Sequence, residues 1–183
     1  MQMSESPTMV PKGAYMPHDE IGVADALEVS MGRNRAFDDH FTITGRVELV
    51  LRDKLGRFKA RRVINNLVVT AGKNHIADQL SSAPGGSAMS HMAVGTGSTA
   101  PAAGDTTLGT EIDRNALTSR TDATNVVTYV GDWAAGDATN SAIAEAGIFN
   151  ASSAGTMLAR ATFTAINKGA SDTLKITWTV TIG

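Results

Sequence analysis

The 183-residue sequence contains no cysteine. That absence alone excludes a disulfide framework, a thiolate zinc site and a cysteine nucleophile. Aromatic residues are scarce, at 5%, so the core has to be built from Ala, Val, Ile and Leu. Proline occurs five times, and three of these, Pro7, Pro11 and Pro17, fall in the first 40 residues. No apolar run reaches the roughly 18 residues that a membrane helix requires. The formal net charge of −2 argues against a globally basic nucleic-acid binder. The opening MQMSESPTMVPKG has neither a basic n-region nor an apolar h-region, so no secretory signal is expected. These absences predict a soluble protein made in a reducing compartment.

What the chain does contain is small residues. Ala, Thr, Ser and Gly together make up 79 of the 183 positions. Such a mix is poor for long helices and suits short strands with tight turns, where Thr lines a half-exposed sheet face. A core this thin on a chain of this length favours help from partner subunits.

Charge divides the sequence into blocks of net −4 (residues 1–40), +6 (41–75) and −4 (76–183). The first block lacks a sustained hydrophobic period, although Ile21–Val29 allows a short helix. Its apolar residues are too many for a purely solvating tail. The expectation is an extended N-terminal arm over residues 1–40, anchored on another surface through Met9, Val10, Tyr15, Met16 and Ile21.

From Phe41 the period becomes two. Phe41, Ile43, Gly45, Val47, Leu49 and Leu51 alternate with polar neighbours, Asp53-Lys54-Leu55-Gly56 supplies a turn, and Arg57–Val69 returns as a second strand. This is a hairpin pattern. Thr70 is placed to N-cap a short helix over Ala71–Leu80. Further strands are expected near Met89–Val94, Ala116–Arg120, Val126–Trp133, Ala142–Phe149, Met157–Thr164 and Thr173–Ile182. In the last of these, Leu174, Ile176, Trp178, Val180 and Ile182 share one face, which predicts a strand secured in the middle of a sheet. The pattern predicts a mainly β fold: an antiparallel β-sandwich over residues 41–183 with one short helix, preceded by the arm.

Residues that could carry chemistry form no constellation. Gly95-Thr96-Gly97-Ser98-Thr99-Ala100-Pro101 lacks the Lys-Ser/Thr closure and the following helix of a phosphate-binding loop, and is expected to be a surface loop. His18-Asp19-Glu20 and Asp38-Asp39-His40 are the only His–carboxylate clusters, and both fit solvated acidic patches. Glu111, Asp113 and Glu145 have no spacing that pairs them for acid–base work. No catalytic, cofactor or metal residue is assigned, and an enzyme is not expected. A carbohydrate-binding module would need an aromatic platform, for which Trp133, placed in a loop beside Asp132, is the only candidate.

The basic hairpin concentrates Arg52, Lys54, Arg57, Lys59, Arg61 and Arg62 on two strands and their turn. Nucleic acid is the weakest reading, because Phe58 is the lone stacking residue nearby. Two readings stay open: an edge hairpin blunted by charge, and a docking surface for an acidic partner such as the arm of a neighbouring copy.

Five stretches, in three groups, carry a family resemblance. The first is Asn66–Asn74 (NLVVTAGKN) followed by Met92–Gly109 (MAVGTGSTAPAAGDTTLG); the second is Ile143–Asn150 (IAEAGIFN) with Met157–Ala161 (MLARA); the third is the closing Ile176–Val180 (ITWTV). In this order they resemble a family of small structural proteins of tailed bacteriophages, found as head-decoration proteins and as modules of tail or fibre proteins. The resemblance covers about residues 45–183. It implies a virion protein, made in the host cytoplasm, without catalytic residues or cofactors. Its partners would be its own copies, in a homo-oligomer, and the major capsid protein. Short length favours a capsid decoration or cement protein; the alternative is a tail, neck or baseplate component or fibre adaptor, with tail proteins as partners.

Overall fold

The alternation that begins at Ile43 produces strand β1 (Ile43–Arg52), which turns at Asp53–Gly56 into β2 (Phe58–Asn65). Gly56 takes a positive φ of 75° in that turn, a conformation that costs glycine little. The computed structural model describes residues 41–81 and 86–183; the arm with its five anchors, the helix expected at Ile21–Val29 and both His–carboxylate clusters lie outside the described residues. After β2 the elements are β3 (Leu67–Val68), α1 (Thr70–Leu80), β4 (His91–Gly95), β5 (Glu111–Ala116), β6 (Ser119–Ala123), β7 (Val126–Trp133), β8 (Asn140–Phe149), β9 (Met157–Lys168) and β10 (Thr173–Ile182).

The strands form two five-stranded antiparallel sheets, ordered β2-β1-β10-β7-β6 and β3-β9-β8-β4-β5. The last strand lies at the centre of the first sheet. β10 pairs with β1 from Ile43↔Ile182 to Arg52↔Thr173, and with β7 from Leu174↔Trp133 to Thr181↔Val126. Its apolar face meets the second sheet: Leu174, Ile176, Trp178 and Val180 are buried with Val47, Leu49 and Leu51 of β1 against Met92, Ile143, Ile148 and Leu158. This β-sandwich, Phe41–Gly183, is one compact unit.

Three local expectations need correction. The returning strand Arg57–Val69 is broken at Asn66, which donates its backbone N–H to Gly45 and accepts a bond from Trp178 Nε1 at 3.1 Å. That kink passes the chain from the first sheet (β2) to the second (β3). The strand expected at Ala116–Arg120 is a crossover between sheets. The Leu117 N–H donates to Ser90 and the Thr118 N–H to Val130, so pairing switches from β4 to β7 within two residues. Finally, Thr70 is not the N-cap. Val69 occupies that position with no side-chain cap bond, and the Thr70 N–H donates to the Ala103 carbonyl at 2.8 Å, so a distant loop satisfies the helix end.

That loop, residues 96–110, changes the burial of the second sheet. A strand with one solvated face should alternate, yet every residue from Ile143 to Phe149 of β8 is buried. Its outer face, with Phe149, is covered in a second cluster by Leu108, Val69, Ala93 and Met157. The loop therefore roofs the sheet.

Candidate functional site

Three of the six hairpin cations, Lys59, Arg61 and Arg62, lie on β2, the outermost strand of the first sheet; Arg52 ends β1, and Lys54 and Arg57 lie in the connection between the two strands. Most of them are engaged within the chain. Arg57 Nε donates to Asp53 Oδ2 at 2.7 Å, Arg61 Nε to Glu48 Oε1 at 2.6 Å, and Lys59 Nζ lies 2.5 Å from Asp172 Oδ2. Arg52 donates to the Gly56 carbonyl, and Arg62 to the carbonyls of Thr164 and Arg61. Lys54 is exposed in the turn. The bond from Arg61 holds the Glu48 carboxyl below its ordinary value, and the bond from Lys59 does the same for Asp172. Asp53 also organises the turn, accepting backbone N–H bonds from Leu55 and Arg57 at 2.9 Å each. The hairpin is thus a charged edge whose cations are largely engaged within the chain, Lys59 and Arg62 reaching the β9–β10 connection and β9 of the second sheet.

A second charged cluster is one that spacing does not single out. Glu145, on the outer face of β8, is completely buried. Its Oε1 accepts the N–H groups of Gly97 at 2.8 Å and Thr110 at 2.7 Å; its Oε2 accepts that of Gly109 at 2.9 Å. Arg160, on the adjacent β9 and also buried, grips the same Oε2 with Nε at 3.0 Å and Nη2 at 2.7 Å. Its Nη1 donates to Asp105 Oδ2 at 2.8 Å, and Asp105 in turn accepts the Ala102 N–H. One carboxylate thus ties three points of the roof loop to two strands. Gly95 and Gly97 are required by this approach: a Cβ at either would overlap Glu145 Oε1, and at Gly95 also the Thr110 carbonyl.

Electrostatics follow from the geometry. Burial alone would raise the Glu145 carboxyl, but the bonds from Thr110, Gly109, Arg160 and Gly97 outweigh it and hold the group below its ordinary value. For Arg160, burial is likewise outweighed by Glu145 and Asp105, so the guanidinium is held more firmly charged. The Ala102 N–H and Arg160 hold Asp105 low despite burial. The clamp is a charge-assisted network in which each nitrogen of the Arg160 guanidinium is bonded to a carboxylate.

Two further largely buried cations, Lys168 and Arg114, also hold backbone carbonyls. Lys168 is fully buried and donates Nζ to the Ala134 carbonyl at 2.8 Å; burial pushes its amine below the ordinary value, with Asp137, Asp172 and Asp113 opposing. Arg114 stacks over the Phe149 ring at 3.6 Å and binds Glu111 and the carbonyls of Ala151 and Ala154. Trp133 is not in a loop. It ends β7 and is 1% exposed, so it offers no aromatic platform for a sugar. Among the described residues no group of three His, Cys, Asp or Glu is arranged to hold a metal ion, and no helix is long and apolar enough to cross a membrane.

Compared with protein-family models, with curated proteins and with solved structures, the chain finds no match in any of the three.

Proposed function

We propose that the chain is a structural protein of a tailed-bacteriophage virion, and specifically a decoration protein that binds the outer head shell at subunit junctions and cements it. The observation that carries this reading is the clamp. The motifs that resemble the phage family contain Gly97, Asp105 and Gly109, then Glu145, then Arg160. The fold gathers these into one network, centred on the buried Glu145 and Arg160, that pins a loop onto a sheet. The motif residues act as a folding device that stiffens a small β-domain, which is what a cementing protein needs and what a reacting site does not. On this reading the chain has no enzymatic activity, and its partners are its own copies and the major capsid protein.

The test is quantification of the protein on purified particles, with labelled antibody locating it by electron microscopy. Copies in proportion to the shell subunits, with label over the head, support decoration. Label confined to the tail, neck or baseplate, at a copy number matching those symmetries, replaces decoration with the tail-component reading. Absence of the protein from particles overturns the proposal.

A further inference from the structure

Helix α1 sits close on β9, where a Cβ at Gly72 would overlap the Leu158 carbonyl. Ile76 also packs against the core, whereas Ala77 and Leu80 at the end of the helix stay exposed. Ile76, Ala77 and Leu80 face Phe41 and Ile43 across a hollow of about 640 Å³. A second hollow of about 210 Å³ adjoins it through Ile76 and Leu80 and reaches toward Tyr129 and Ile182. Phe41 is 63% exposed and Leu80 80% exposed. Two such side chains bordering a concave apolar surface differ from scattered surface leucines and mark an interaction site.

The rim of this hollow is cationic. Lys73 lines it, and a neighbouring cleft of about 470 Å³, also bordered by Ile43 and Lys73, adds Arg46. Among the described residues neither Lys73 nor Arg46 forms an ion pair. An apolar trough with a positive rim suits an acidic segment bearing several apolar side chains. The chain has one. Residues 5–28 hold five acids and one base, together with Met9, Val10, Tyr15, Met16 and Ile21. The sequence that carries them runs into Phe41, at the border of the hollow. Residues 22–40, if extended, span up to about 60 Å, against a radius of gyration of about 15 Å expected for a domain of this size. The tether is long enough for the anchors to reach another copy.

We infer that this hollow receives the apolar anchors of residues 9–21 from a second copy of the chain, so that copies are linked through exchanged N-terminal segments. The inference rests on the reading of the chain as an assembling protein with its own copies as partners. Apolar burial holds the segment, and the acids meet Lys73 and Arg46 at the rim.

The absence of cysteine makes a direct test possible in the 183-residue chain. Chains carrying Met16→Cys and chains carrying Leu80→Cys are mixed and oxidised, with Thr121→Cys, on the exposed strand β6, replacing Leu80→Cys as the control partner. A mixed disulfide between the first two, well above the control pair, is expected. A yield no higher than the control overturns the inference. So does preferential closure within one chain when both substitutions are placed in a single dilute protein, because the segment then occupies its own copy. A second measurement avoids cross-linking. Leu80→Glu should weaken self-association in sedimentation velocity at least about tenfold with an unchanged melting temperature, because Leu80 is exposed. Unaltered association overturns the inference. The outcome is separable from the virion reading: cross-linked copies of a protein absent from particles would leave the exchange intact and remove the phage assignment.

Discussion

Glu145 carries a full charge with no exposure to water, and it holds that charge only because five donors surround it. Removing one member of such a network leaves the others buried and unpaired, which costs more than the pair contributes when intact. Glu145→Ala should therefore lower unfolding free energy by about 3–5 kcal/mol, measured by denaturant titration, and expose residues 97–109 to proteolysis first. Glu145→Gln should cost less, since its amide oxygen still accepts backbone bonds. A loss under about 1 kcal/mol for the alanine variant would contradict the clamp. The same groups set an acid limit. Glu145, Asp105 and Asp172 are held below their ordinary values in the fold, so on acidification the unfolded chain takes up protons before the folded one does. Their stabilisation is complete above about pH 5 and is lost as pH falls below about 4. Melting temperature should follow that course, with a shallower acid limb in Glu145→Gln.

Two elements show different kinds of dependence. β10 lies between β1 and β7, and deleting Thr173–Gly183 removes the buried Leu174, Ile176, Trp178 and Val180 and separates the halves of the first sheet. At about 1.5–3 kcal/mol for each buried side chain, the loss rivals the whole stability of an ordinary domain. The fragment 1–172 should be insoluble or should melt without cooperativity; a soluble fragment with a sharp transition would falsify the central placement of β10. For α1 the dependence is on closeness. Gly72→Ala pushes a methyl group into the β9 backbone, which cannot yield as a side-chain tip could. We expect a loss of about 1–3 kcal/mol, seen as a lowered melting temperature with the far-ultraviolet spectrum retained.

For the molecule as a whole, folding and assembly should be separable. The sandwich has its own core within Phe41–Gly183. A chain beginning at Phe41 should melt within a few degrees of the 183-residue chain, yet associate with its own copies or with particles far more weakly. Raising the salt concentration should weaken association of the 183-residue chain only modestly. Screening acts on exposed charges, each pair of which contributes about 0–1 kcal/mol, and leaves the apolar anchors unaffected. If the shortened chain decorates particles as well as the intact one does, the N-terminal segment has no role in assembly.

Much of the fold is legible one residue at a time, because a strand with one buried face writes a period of two into its own sequence. Val47, Leu49 and Leu51 in β1 and Leu174 to Val180 in β10 declare both their conformation and the face they bury. Strand β5 leaves no such mark, since EIDRNA has a single large apolar residue and owes its conformation to pairing with β4. The break at Asn66 depends on Gly45 and on Trp178, 112 residues away. Trp133 looks exposed beside Asp132 until β10 and the facing sheet enclose it. The clamp was beyond local reading for the same reason: Gly97, Asp105, Glu145 and Arg160 are unremarkable at their spacing in the chain. A carboxylate becomes a structural charge only when distant backbone N–H groups converge on it, and that convergence is a property of the folded chain alone.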